Sequence, residues 1–494
     1  MRPYLFLAAL ALALTLVPAS AAITGNVRVS VGNSGGQLAA SSGSTTSSPA
    51  LDSSGELVAF ESLGAAADGD ANGTQDIFVR ITGADRTELI SSTPGSRSGN
   101  NASTHPSMTD DGRLVAFQSL ASDFVPSDGN DMPDVFVKNR EDGTMLRVSA
   151  AADGGDTNGP STAPALSPDG SVVAFCSAAT NLVAGDENGA ADVFVSDLAQ
   201  GSISRITPEG VNVTPDGGCH RVGVSAGGQF VAFAYSSRGS DGEQISQVYL
   251  HNRSSGETKL VSAFNGAPGN GSSGVFGLAI SDGGSIVAFD SAATSLVDGD
   301  RNDISDVFVW DASTGEIRRA SVAAGGSEGN GDSGSLGLGL SGDGGWLAFS
   351  SAASNLLPGD VNQASDVFRL EVASGTLTLA SADVSDRAPN GPSYSPDVSD
   401  NGIVVAYVSL ATNIVTSDRN RQPDVFLRGG SFPEIAGRRD DPGETPTLDP
   451  AFAPVEIRED NGGLPAWLVI AIAAAGVAAA LAAIWFVTGR RPEA

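Results

Sequence analysis

The chain has 494 residues, 57 of them acidic against 27 basic, for a formal net charge of −30, with 62 glycines, 25 prolines and two cysteines. At roughly 100–200 residues per domain this length admits about three domains or one large repetitive one, and a hydrophobic fraction of 40% is enough for a packed core, which excludes a disordered acidic tail and a small disulfide scaffold. Lys138 and Lys259 are the only lysines, and so acidic a balance argues against nucleic acid as a partner, because phosphate binding needs clustered positive charge.

At the N-terminus Arg2 precedes an apolar run from Leu5 to Val17, and Ala19-Ser20-Ala21 supplies the small-x-small pattern of a cleavage site. Residues 1–21 therefore read as a secretory signal, the run being short for a retained anchor. From residue 22 to 430 a unit of about 58 residues recurs. It is clearest in the third copy, Ala163-Pro-Ala-Leu-Ser-Pro-Asp-Gly-Ser-Val-Val-Ala-Phe175 followed by a polar loop and Asp192-Val-Phe-Val195. Phe60, Phe117, Phe175, Phe233, Phe289, Phe349 and Tyr407 mark the same place in seven copies. Each unit reads as a short apolar strand, a tight turn at Pro168-Asp169-Gly170, a strand at Val172 to Phe175, a long loop, a strand at Val193 to Val195 and a fourth at Ile203 to Ile206. Four strands per repeat, bounded by Gly, Asp and Asn turns, predict an all-β fold, the seven-bladed β-propeller. The seventh copy stops after its third strand, Asp424-Val-Phe-Leu427, while Val27-Arg-Val-Ser-Val31 ahead of the first copy matches the fourth-strand pattern Leu146-Arg-Val-Ser149. An N-terminal strand closing the last blade leaves no free seam, and a closed ring of this kind is expected to be monomeric.

In its Ser-Pro-Asp-Gly…Val-Ala-Phe stretches and Asp-Val-Phe-Val strands, from about Asn26 to Arg428, the chain resembles the TolB-type, WD40-like β-propeller repeat that also occurs in tricorn-like peptidases. The resemblance implies the propeller fold and little about activity, since propellers host many functions. Between the expected signal and the first repeat the sequence leaves no stretch for an α/β domain of the TolB kind, so a TolB-like role is not expected. In tricorn-like and prolyl-oligopeptidase-like enzymes a separate catalytic domain does the chemistry.

Between the second and third strands six copies carry Asp-x-Asn-x-x-x-Asp: Asp70/Asn72/Asp76, Asp128/Asn130/Asp134, Asp186/Asn188/Asp192, Asp300/Asn302/Asp306, Asp360/Asn362/Asp366 and Asp418/Asn420/Asp424. Two carboxylates and an amide within seven residues could supply three of the oxygens that Ca2+ takes, with loop carbonyls and water the rest. The spacing resembles loosely the calcium loops of integrin-type blades, without their middle acidic ligand. The same residues equally suit turns, since Asn and Asp bond their own backbone and the last Asp directly precedes a strand. In the fourth copy the segment from Phe233 to Gln247 is shorter and Gln247 replaces the last Asp, so a metal there is not expected. These loops share a face with the Gly/Asn/Ser-rich connectors between blades, at 154–160, 265–274 and 325–335, and binding residues tend to sit on such scaffolded loops.

His105, His220 and His251 lie in different copies without metal-ligand spacing, which argues against zinc; the first two fall just before first strands on the loop-rich face. No nucleophile elbow or phosphate loop stands in its required context, and carboxylates that recur in six copies are unlike a single active site. Cys176 and Cys219, in adjacent copies, are expected to pair outside the cell. Sequons at Asn72, Asn101, Asn212, Asn252 and Asn270 are compatible with glycosylation.

Residues 431–463 are rich in Pro, Asp, Glu and Gly and read as a disordered stalk. Leu464 to Val487 is almost continuously apolar, flanked by Trp467 and Trp485 and followed by Arg490 and Arg491; it predicts one transmembrane helix with residues 488–494 as a cytoplasmic tail and the propeller outside. The sequence thus points to a cell-surface-anchored propeller that binds a protein, glycan or envelope component through its loop-rich face, stabilised by Ca2+ if the acidic loops hold it. The alternative is an extracytoplasmic hydrolase or lyase with carboxylates near the central channel.

Overall fold

In the computed structural model the described residues are 23–432 apart from 39–47, 127, 207–216, 239–241, 324 and 431. The expected signal at 1–21, the stalk, the transmembrane segment at 464–487 and the tail lie outside them, residue 432 excepted. Among the described residues no helix is long and apolar enough to cross a membrane.

Seven four-stranded antiparallel sheets follow one another along the chain. In the third blade the strands are Ser161–Leu166, Val172–Ser177, Asp192–Asp197 and Ser202–Ile206, paired in sequence order from the axis outward. The second and third strands run a residue or two beyond the apolar core of the repeat, because backbone pairing continues into flanking Ser and Asp. The seventh blade takes Ser393–Val398, Val404–Ser409 and Asp424–Gly429 from the end of the repeats and Gly25–Arg28 from the beginning. Gly25 lies opposite Gly429 and Arg28 opposite Phe426, and Val29 N–H continues the pairing to the Val425 carbonyl at 2.8 Å. The ring is therefore closed by its N-terminal strand.

Packing explains why the Val-Ala-Phe stretch recurs. The second-strand aromatic sits opposite a third-strand aromatic in every blade, as Phe60 with Phe78, Phe117 with Phe136, Phe175 with Phe194, Phe233 with Tyr249, Phe289 with Phe308, Phe349 with Phe368 and Tyr407 with Phe426, the ring centroids 5.5–6.0 Å apart. Such offset pairs each add about 0.5–1.5 kcal/mol beyond the area they bury. The fourth blade departs from the repeat. Its middle strands, Phe230–Arg238 and Gln244–Asn252, are each nine residues long and form an extended hairpin where the other blades have an acidic loop.

The turns between first and second strands lock each blade onto the preceding one. Gly402 has φ +67°, and a Cβ placed there would lie 2.2 Å from the Trp346 ring of blade six, whose face carries the Arg369 guanidinium 3.7 Å from its centroid. Gly402→Ala combines a left-handed backbone with overpacking against a ring that is held in place. A loss of about 2–4 kcal/mol is expected, read as a lower denaturation midpoint with an unchanged slope.

Candidate carboxylate sites and the axial channel

The recurrent loops place their two aspartates together at the buried start of the third strand. Asp76, Asp134, Asp192, Asp306, Asp366 and Asp424 are fully buried. In five blades a serine two residues past the end of the outermost strand reaches across: Ser91 donates to Asp76 at 2.6 Å, Ser149 to Asp134 at 2.5 Å, Ser381 to Asp366 at 2.8 Å, Ser30 to Asp424 at 2.6 Å, and Ser321 to Asp306. The same hydroxyls accept the next backbone N–H, as Val135 to Ser149 at 2.9 Å. In blade three Tyr235 of the following blade donates to Asp192 at 3.1 Å. Blade four keeps the arrangement without charge: Ser262 donates to the Gln247 carbonyl, and Gln247 Nε2 donates to Gly269 O at 2.8 Å.

The asparagine between the aspartates is a clip. Its side-chain oxygen accepts the N–H two residues on, as Ala364 to Asn362 at 3.0 Å, while its amide reaches the connector to the next blade: Asn72 to Gly99 O at 2.8 Å, Asn130 to Thr157 O at 3.1 Å, Asn302 to Gly329 O at 3.2 Å, Asn362 to Pro389 O at 2.9 Å and Asn420 to Leu38 O at 2.9 Å. In blade three Asn188 donates to Asp192 at 2.9 Å. A second asparagine, in the connector, fastens the same face. Asn158 Nδ2 donates to Thr180 Oγ1 at 2.7 Å and its oxygen accepts Thr180 N–H at 2.8 Å, with counterparts at Asn270, Asn330 and Asn390.

Sequence reasoning missed the cation of the site. In four blades an arginine of the outermost strand lies between the aspartates. Arg205 Nη1 is 2.7 Å from Asp186 and 3.3 Å from Asp192; Arg319 Nη1 is 3.4 Å from Asp300 and 3.1 Å from Asp306; Arg147 Nη1 is 3.7 Å from Asp128 and 3.6 Å from Asp134; Arg28 is 3.5 Å from both Asp418 and Asp424. The signal was in the fourth-strand pattern, an arginine two residues before the serine. Burial raises the carboxyl of Asp134, which hydrogen bonds and Arg147 pull back, and raises Asp128 to about 6 with Asp134 adding to the effect. Blades one and six have leucine at the arginine position, Leu89 and Leu379. There burial, followed by the charge of Asp70, pushes Asp76 up to about 7; burial alone pushes Asp360 to about 7; burial, followed by the charge of Asp360, pushes Asp366 well above the usual range.

Cys176 and Cys219 form a disulfide between the second strand of blade three and the first strand of blade four, with Cα atoms 5.5 Å apart. Neighbouring blades make the equivalent tie by hydrogen bonds, from His105 N–H to Glu61 at 3.3 Å and from Ala163 N–H to Gln118 at 2.9 Å. His105 and His220 lie within first strands, Ser103–Met108 and Gly218–Val224, and not ahead of them. His105 takes φ +59° at a bulge, on the wall of an axial cavity of about 300 Å3.

At the turn end of this cavity a belt of backbone hydrogen bonds runs from blade to blade: Ser53 N–H to Asp110 O at 3.0 Å, Asp110 to Pro168 O at 3.0 Å, Ala226 to Asp282 O at 3.0 Å, Asp282 to Gly342 O at 2.8 Å, and Asp400 to Ser53 O at 3.2 Å. Gly342 N–H donates to the Asp400 carboxylate at 3.2 Å, and Pro168, lacking an N–H, interrupts the belt. The carboxylates of Asp110, Asp282 and Asp400 converge here within 4.8 Å of one another. Burial and then the neighbouring charges of Asp400 and Asp282 raise Asp110 to about 7. Burial raises Asp397 and Asp290 to about 6, although backbone N–H groups stabilise both anions and Arg221 assists Asp290.

A pH dependence follows. Asp110, Asp290 and Asp397, raised in the folded state, hold protons there that the unfolded chain has released, so their stabilising contribution is complete below about pH 4 and is lost as pH rises through 6 to 7. The melting temperature is expected to be higher at pH 5 than at pH 8, and Asp397→Asn should flatten the profile. A maximum at pH 8 would count against these assignments.

No family model matches the chain, and no curated protein matches it. Solved structures similar to it include an oligogalacturonate lyase from Vibrio parahaemolyticus, 12% identical over 83% of this chain and 97% of that one with a TM-score of 0.47. The β-propeller domain of the Trilobed protease from Pyrococcus furiosus is 11% identical over 80% and 95%, with a TM-score of 0.47. A putative TolB from Agrobacterium tumefaciens is 16% identical over 55% and 79%, with a TM-score of 0.34. These are similarities of fold.

Proposed function

We propose that the chain is a cell-surface binding or scaffolding module that engages a protein partner through its loop-rich face, held at the membrane by the apolar segment 464–487. The observation that carries this reading is the fastening of that face. Asparagine clips in loops and connectors join neighbouring blades, so the surface is formed before a partner arrives and little ordering entropy remains to be lost on binding. Its chemistry suits a protein. Leu63 and Leu120, at the loop-side ends of adjacent second strands, are 46% and 40% exposed, and exposed Asp68, Asp123, Asp131 and Asp156 lie in the surrounding loops and connectors. Apolar side chains rimmed by acid favour a partner with apolar anchors and basic flanks.

A second reading rests on Asp110, Asp282 and Asp400, whose convergence in the axial cavity is an arrangement in which one carboxyl stays protonated beside ionised neighbours. This would suit hydrolase or lyase chemistry. Chemical crosslinking on intact cells separates the two. Loss of a specific crosslinked partner in a Leu63→Glu, Leu120→Glu variant, with retention in Asp400→Asn, supports the docking face. A turnover of glycan or peptide substrates that Asp400→Asn abolishes would favour the channel.

A further inference from the structure

The seven blades form an internal comparison at the carboxylate pairs. In blades two, three, five and seven, two buried aspartates enclose a guanidinium. Blade four has Leu260 at the arginine position and has lost the charge together with it, a neutral Gln247 replacing the third-strand aspartate. Blades one and six break the rule: Leu89 and Leu379 replace the arginine, yet both aspartates stay. Among the described residues no lysine, arginine or histidine pairs with Asp70, Asp76, Asp360 or Asp366.

The pair in blade six is the more enclosed. Asp360 is 4% exposed, and neither of its carboxylate oxygens has a hydrogen bond of normal geometry, the backbone of Asn362 giving only partial relief. It faces Asp366, whose oxygens are already held by Ser381 at 2.8 Å and by Asn362 at 2.8 Å. In blade one Asp76 Oδ2 is likewise buried without a partner. A buried carboxyl with unused lone pairs is neutralised either by a proton or by a cation that fills them.

We propose that blades one and six each bind one Ca2+, between Asp70 and Asp76 and between Asp360 and Asp366, where the metal does the work of the guanidinium in the four arginine blades. The donors are hard oxygens without nitrogen or sulfur, and Ca2+ accepts a flexible set of carboxylates, carbonyls and water. Asn72 and Asn362 remain clips to the connectors. This inference stands apart from the docking reading, since it concerns the buried frame of the loops.

The test is equilibrium dialysis of Ca2+ alone against the EDTA-stripped full-length protein, with melting followed in parallel. Two ions per chain and a rise in melting temperature of about 3 °C or more are expected. Asp360→Asn should leave one ion. Leu379→Arg should also leave one while raising the melting temperature of the stripped protein, an effect that a merely structural leucine would not give. If Asp360→Asn fails to fold, Leu379→Arg still decides the matter. Absence of binding at millimolar Ca2+ with an unchanged melting temperature overturns the proposal and leaves a shared proton in each pair. Six ions per chain would overturn the equivalence of arginine and metal.

Discussion

Arg147→Leu is expected to cost about 3–5 kcal/mol, the penalty for leaving buried charge without its partner. The substitution turns blade two into the pattern of blades one and six, with Asp128 and Asp134 enclosed and their guanidinium gone. Asp156, 2.8 Å from Arg147, is partly solvated and loses less. If burial of unpaired charge is the cause, removing the charge should repair it. Arg147→Leu combined with Asp128→Asn and Asp134→Gln, patterned on blade four, should return to within about 1–2 kcal/mol of the parent, since neutral replacement of a buried ion pair is often tolerated. Urea denaturation of the three proteins checks this. Equal losses in the single and the combined variant would show that the arginine acts through its packing.

Deleting residues 23–31 should have the larger effect. It removes the ladder from Gly25–Arg28 to Phe426–Gly429, the buried Val29, the Ser30 hydroxyl on Asp424 and Arg28 beside Asp418 and Asp424. Burial of Val29 accounts for about 1.5–3 kcal/mol and the broken buried pair for about 3–5, before any backbone bonds are counted. A fall in melting temperature of about 10 °C or more is expected, together with self-association, because the third strand of blade seven becomes an unpaired edge. Melting and sedimentation velocity measure the two consequences. A monomer of unaltered stability would show that the closing strand is dispensable.

Much of the fold was legible because each blade repeats the same solution to the same packing problem. The second-strand aromatics, the Asp-Gly turns and the displaced segment Val27–Val31 carry the architecture in residue identity alone, although the strand itself starts earlier and spans Gly25–Arg28, because backbone pairing begins at the Gly25–Gly429 contact ahead of the apolar pattern. Blade four was harder: shortening of its loop was visible, but its conversion into a long hairpin depends on pairing between Phe230–Arg238 and Gln244–Asn252. The candidate site was legible by half. Its aspartates stand in one short segment, whereas Arg147, Arg205, Arg319 and Arg28 come from a different strand, and in Arg28 from the opposite end of the chain. A motif read along the sequence shows the ligating side of such a site and not its counter-charge. Asn72, Asn130, Asn302 and Asn362 resemble ligands in spacing, but their amides face the next connector, a partner 27 residues on.

Closure by the N-terminal strand also determines how the ring bears force. Gly25 lies opposite Gly429, so the chain enters and leaves the ring at the same corner of blade seven. A pull transmitted along the chain after Gly430 loads the strand Asp424–Gly429, which is bonded to Val404–Ser409 on one side and to Gly25–Arg28 on the other. Both ladders must yield for that strand to be drawn out. The other six blades are spared direct tension from such a pull, so blade seven acts as a mechanical clamp for the ring.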